Sequence, residues 1–149
     1  MKTKLLTFVC TIFLLGACNN KDDADALFFR VKVDGKLVEA TGTNAYAVKN
    51  SDEYNMYGIF DSKSSMYLQL ANAKAVGTHS ASENPNFIFY TDEAGTGNRS
   101  DRSGVSAEIT ITEKTDKIVK GTFKGTVKSS NQATKVYNLT EGEFSVQFR

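Results

Sequence analysis

The sequence predicts an all-β protein, a single antiparallel β-sandwich or flattened barrel of roughly eight or nine strands. Three observations predict it. Two long stretches alternate apolar and polar residues with the period of a strand, Val105–Thr112 and Ile118–Ser129. The chain is rich in Val, Ile, Thr, Tyr and Phe, holds a single proline, Pro85, and shows no helical period of useful length. Turn-forming clusters punctuate it at the short spacing that sandwiches and barrels require.

Leu27–Thr41 reads as a β-hairpin. Phe29, Val31 and Val33 alternate with Phe28, Arg30 and Lys32, and Asp34-Gly35 supplies a two-residue turn with φ > 0 at both positions. Closure there pairs Val31 with Val38 and Phe29 with Ala40 on one face. Arg30 meets Glu39 as an ion pair on the other. Strands follow at Asn44–Lys49, Asn55–Phe60 and Met66–Ala71, separated by Asn50–Glu53 and Asp61–Ser64. Asn72–Asn86 is less regular, and Phe87–Tyr90 is a short buried strand. Thr91–Gly104, with three glycines, is the longest loop.

Val105–Thr112 and Ile118–Ser129 then form a hairpin around Glu113–Lys117, with Ile111 opposite Val119 and Ala107 opposite Phe123. Val119, Gly121, Phe123, Gly125 and Val127 share the inward face. Two last strands lie near Thr134–Leu139 and Glu143–Phe148, with Phe144, Val146 and Phe148 inward.

The first 26 residues belong to no strand. Lys2 and Lys4 precede an apolar run of 11 residues, Leu5–Leu15, then Gly16, Ala17 and Cys18. A spanning helix needs about 20 apolar residues, so the run fits a secretory signal. Leu15-Gly16-Ala17-Cys18 resembles the lipobox of bacterial lipoproteins. That resemblance implies cleavage before Cys18 and acylation of its thiol and new amino terminus. Each buried CH₂ is worth about 0.8 kcal/mol, so two or three chains anchor durably where one does not. Asn19–Asp25 is polar and free of aromatic and β-branched residues, as a tether is. Within it Lys21-Asp22-Asp23 resembles the Lys-acidic-acidic export signal of Bacteroidota surface lipoproteins. The expected organisation is therefore a signal over 1–17, a lipidated Cys18 and tether over 18–26, and a β domain over 27–149.

Phe29-x-Val-x-Val-Asp-Gly-Lys36, Gly121-Thr122-Phe123 and Glu141-Gly142-Glu143-Phe144-x-Val-x-Phe148 together resemble small Bacteroidota lipoproteins of unknown function, predicted as antiparallel β domains. The resemblance covers nearly all of the mature chain, but its motifs are turns, glycines and core aromatics. It implies no catalytic residues. Lipocalin-like barrels are a more distant comparison, and the Gly-x-Trp of true lipocalins is absent from a chain with no Trp.

Candidate chemistry is sparse. The two cysteines are Cys10, in the signal, and Cys18, so the mature domain has neither disulfide nor thiolate. The single histidine, His79, precedes Ser80 without the elbow motif of a hydrolase and reads as a turn or strand residue. One His without free Cys does not make a zinc site. Asp92, Glu93 and Asp101 flank the glycine-rich loop, but their spacing is not that of a calcium loop, and Arg99 and Arg102 lie among them. Lys120, Lys124 and Lys128 form a candidate contact ridge that could track an anionic glycan. Gly121 and Gly125 beside Phe123 mark a bend more readily than a hollow. Tyr46, Tyr54, Tyr57, Tyr67 and Tyr90 are contact material for carbohydrate or protein, or core-edge residues.

The expectation is a non-enzymatic binding or accessory lipoprotein of the outer membrane, facing the cell exterior. No catalytic residue, metal or cofactor is assigned. Its partners are the membrane, through the lipid, and a glycan or another envelope protein. A formal net charge of +1 with interspersed signs gives no nucleic-acid footprint. The alternative is a lipocalin-like barrel that holds a small apolar ligand.

Overall fold

The computed structural model describes residues 26–71, 75–129 and 135–149. Its strands are β1 (Phe28–Val33), β2 (Lys36–Thr41), β3 (Ala45–Asn50), β4 (Glu53–Ile59), β5 (Ser65–Ala71), β6 (Gly77–Ser80), β7 (Ser82–Glu83), β8 (Asn86–Thr91), β9 (Gly97–Arg99), β10 (Ala107–Lys114), β11 (Ile118–Ser129) and β12 (Val136–Phe148), with one 3₁₀ turn at Gly42–Asn44. β6, β7 and β9 have four residues or fewer, and the other nine have six or more.

The strands form two layers. One is antiparallel, in the order β2-β1-β12-β11-β10-β6. The other runs β3-β4-β5-β8-β9, with β7 beside β8. Two narrow seams join them. β12 runs parallel to β3 through Gln147–Tyr46 and Phe148–Ala47. β11 meets β9 through Lys128–Arg99 and Ser129–Asn98. The fold is thus an all-β sandwich hydrogen-bonded along both seams, which makes it a flattened barrel. The β12–β3 contact is its departure from antiparallel pairing.

Alternation dictates the core. Phe29, Val31, Ile109, Ile111, Val119, Phe123, Val127, Phe144 and Val146 are buried from the first layer, and Met56, Met66, Leu68, Leu70 and Ile88 from the second. The centre is filled by aromatic rings: Phe29 lies 5.2 Å from Phe123, 6.3 Å from Phe144 and 6.1 Å from Phe60, centroid to centroid. A Cβ on Gly58 of β4 would come within 2.5 Å of the Phe29 ring, so glycine is what lets the layers approach there.

The first hairpin has the expected register, with Phe29 opposite Ala40 and Val31 opposite Val38. Asp34 and Gly35 have φ of 49° and 83°. Arg30 stands opposite Glu39, but its guanidinium bonds Glu143 of β12 instead, at 2.5 and 3.0 Å. β12 is the neighbour on the other side and sets Glu143 directly beside Arg30.

The β10–β11 hairpin is shifted by two residues from the expected pairing. Ile109 faces Phe123, Ile111 faces Gly121 and Ala107 faces Gly125. Thr115 causes this. Its hydroxyl accepts the amides of Lys117 and Ile118, tying a turn over 115–118, and a bulge between Ile111 and Glu113 absorbs the extra residue. A two-residue shift keeps the inward face.

Three other boundaries differ from expectation. The two closing strands are one strand, β12. Glu141 at φ 52° and Gly142 make a bulge within it rather than a turn. The long loop contains β9, short but able to bridge the layers. The irregular stretch contains β6 and β7, which straddle buried Ala81 and pass from one layer to the other. Gly121 and Gly125 are packed over where a side chain would stand. The Phe144 ring covers Gly121, while Gly125, at φ 144°, lies against Ala107.

Candidate functional site

Cys18, Lys21, Asp22 and Asp23 lie outside the described residues. The lysine ridge lies on the outer face of the first layer. Lys120 pairs with Glu113 at 3.0 Å and Lys124 with Glu108 at 3.1 Å, while Lys128 Nζ lies over Gly104 at the seam. Arg30–Glu143 and Lys32–Glu141 continue the pattern on the same face. Positive and negative side chains therefore alternate across the strands. His79 sits on β6, its Nε2 3.1 Å from the Ala75 carbonyl. Asp101 holds the Arg99 guanidinium through two bonds of 2.8 and 2.6 Å.

The outer face of the second layer is built differently. Register places Tyr46 of β3 opposite Tyr57 of β4, Tyr57 opposite Tyr67 of β5, Tyr67 opposite Phe89 of β8, and Phe89 opposite Arg99 of β9. One aromatic residue per strand thus falls into a single row across four adjacent strands. The rings are 4.9, 5.5 and 5.1 Å apart, with interplanar angles of 15°, 31° and 20°. All four residues are half-buried.

Cations close both ends of the row. Arg149 stacks 4.0 Å from the Tyr46 ring and bonds the Thr43 carbonyl. Arg99 stacks 3.7 Å from Phe87, which meets Tyr67 edge-on. Gly97 makes room for this, since a Cβ there would lie 2.7 Å from the Phe89 ring. Burial pushes the Tyr57 and Tyr67 phenols up, with neighbouring Tyr46 and Tyr67 adding to the effect at Tyr57. Both stay neutral hydrogen-bonding groups over an ordinary pH range. At about 4.8 Å per strand, the row from Tyr46 to Arg99 spans about 19 Å.

Strand parity separates these tyrosines from the others. Tyr54 and Tyr90 point inward and are 5% and 6% exposed. Phe89, Arg99 and Arg149 complete the row, although composition did not mark them. The available signal was their outward parity. Which outward residues share a row is decided by pairing between strands distant in sequence.

A second concave region lies at the end of the sandwich, where the β1–β2 turn, the β4–β5 loop, the β8–β9 loop and the start of β12 converge. It encloses about 510 Å³. Asp92 organises it. Its Oδ1 accepts the amides of Ala94 and Thr96, and its Oδ2 accepts the Tyr137 hydroxyl at 2.7 Å. Burial pushes the Asp92 carboxyl up, but these hydrogen bonds and Lys135 outweigh it and hold the group below its ordinary value. Burial raises the Tyr90 hydroxyl to about 12, helped by Tyr137 and by the carboxylates of Asp92, Glu93 and Asp34.

No family model, curated protein or solved structure matches the chain.

Proposed function

We propose that the protein is a non-enzymatic binding module, held at the outer membrane by lipid on Cys18 and facing the exterior, that contacts glycan through its aromatic row. The observation that carries this reading is the row itself, four aromatic rings in register with an arginine at each end. A linear strip of rings, hydroxyls and guanidinium edges suits a linear chain of repeating polar units with apolar ring faces. The self-paired charges of the opposite face offer no such strip. Lys21, Asp22 and Asp23 supply the export signal in this reading, and Cys18 the only acylatable thiol after cleavage.

Titration of the full chain in detergent against soluble polysaccharides tests the contact. A binder should lose at least about tenfold in affinity when Tyr57 and Tyr67 are both replaced by Ala, a loss of about 1.4 kcal/mol. Lys124→Ala should leave it unchanged. Binding that survives the double replacement, or no binding to any polysaccharide, overturns the assignment. For the anchor, Cys18→Ser should abolish incorporation of labelled palmitate and membrane fractionation. Replacing Lys21, Asp22 and Asp23 by Ala should protect the domain from protease added to whole cells.

A further inference from the structure

The cleft at the end of the sandwich is a separate site from the aromatic row, and its charge is unbalanced. Asp34, Glu39, Asp61, Asp92 and Glu93 contribute to its lining against only two cations, Lys36 and Lys135. Both cations stand close to carboxylates already, Lys36 to Glu93 at 3.1 Å and Lys135 to Asp92 at 3.9 Å. The carboxylates do not converge on a point. Among the described residues no three acidic, histidine or cysteine side chains are grouped to hold a metal ion. Negative charge dispersed around about 510 Å³ suits a cation with an organic body rather than a bare ion.

Two further observations point to such a ligand. Tyr90 is only 6% exposed and lines the cleft, and its hydroxyl, hydrogen-bonded to no described residue, stays open to the cleft. That group is an unused acceptor in the field of Asp92, Glu93 and Asp34. Its ring meets Tyr137 edge-on at 5.2 Å, so the wall beside it is aromatic. The chain also carries an internal imitation of the ligand. The Lys135 ammonium stands 4.5 Å from the centre of the Tyr137 ring and near Asp92, held by one aromatic face and one carboxylate.

We propose that this cleft binds an organic cation bearing a primary ammonium on a flexible aliphatic stem. The ammonium sits beside the Tyr90 hydroxyl and the Asp92 carboxylate, in the wider field of Asp34 and Glu93 and in competition with Lys135. The stem lies against Val33, Val38 and Phe60, which also line the cleft. Anions meet a surplus of carboxylates, and a neutral ligand gains nothing from it. A lysine side chain of a polypeptide and a free polyamine share the required chemistry.

Calorimetric titration of the full chain in detergent tests this with spermidine, with lysine blocked at both ends, and with blocked norleucine as the uncharged analogue. At least one amine should bind and weaken as salt rises, and norleucine should not bind. Spermidine alone identifies a polyamine site, blocked lysine alone a polypeptide site, and both together a general ammonium site. Tyr90→Phe removes only the hydroxyl and should weaken binding by about tenfold, the scale of one charge-assisted hydrogen bond. Lys135→Met removes the internal competitor and should strengthen it severalfold. A melting temperature unchanged by Tyr90→Phe certifies the fold of that variant. The proposal is overturned if neither amine binds, if norleucine binds as well as lysine, or if both variants bind like the wild type.

Discussion

The two outer faces of this sandwich share a backbone plan and carry opposite chemistry. On the first layer, Arg30, Lys32, Lys120 and Lys124 each meet a glutamate on a neighbouring strand. On the second, Tyr46, Tyr57, Tyr67 and Phe89 meet one another. A charge lattice that satisfies itself keeps a sheet face wet and leaves little unspent for a partner. Half-buried rings keep apolar surface in reserve, and Arg149, stacked on Tyr46 at one end, adds directional donors. Recognition is therefore expected on the second layer, although the lysine row is the more conspicuous pattern in the sequence.

The parity that creates both faces is tested by the largest effect. Phe123→Ala should destabilise the domain by about 3–5 kcal/mol, while Lys124→Ala, one residue away, should stay within about ±0.5 kcal/mol. Similar urea midpoints for the two would reverse the inward face of β11 and break the comparison.

Next comes the junction where the layers meet at the cleft. Tyr137→Phe should cost about 1.5–3 kcal/mol at neutral pH, because the lost hydrogen bond goes to a charged partner. The Asp92 carboxyl is held below its ordinary value, so this contribution is present above the ordinary carboxylate range. It is lost as the pH falls through the depressed value of Asp92. Wild-type and variant stabilities, measured by urea unfolding from neutral to acid pH, should converge only at the acid end. A constant gap would show that Asp92 is not the partner that matters.

The faces themselves should differ by smaller amounts. Tyr67 touches Tyr57, Phe87 and Phe89, and Tyr67→Ala should cost about 1–2 kcal/mol, insensitive to salt. A double-mutant cycle on Arg30 and Glu143 should return only about 0.2–1 kcal/mol, shrinking as salt is added. Equal salt sensitivity of the two would remove the distinction between the faces.

Legibility in the sequence followed the range of the interactions. The Asp34-Gly35 turn and the alternation of β11 are local, and both stand as the residues predict. The β10–β11 register was obscured by one threonine, Thr115, whose hydroxyl fixes a wider turn than composition suggests. The placement of β12 between β1 and β11 joins residues over a hundred positions apart and has no local signature. The aromatic row was half visible. Tyr46, Tyr57 and Tyr67 stood out beside Tyr54 and Tyr90, and only parity separates those that face outward. Their alignment with Phe89 and Arg99 exists only once β4, β5, β8 and β9 have paired. The cleft was less visible still, since Asp34, Phe60, Asp92 and Tyr137 come from four separate segments.

The first strand links the start of the described chain to the cleft. β1 begins at Phe28 and ends at Val33, which with Asp34 lines the cleft. Six residues of strand put about 20 Å between these ends. In the proposed anchored form, a lipid on Cys18 would draw the Phe28 end toward the bilayer and leave the cleft on the side turned away from it. The aromatic row runs across the strands of the second layer. In the anchored orientation a molecule arriving from the medium would meet the cleft first.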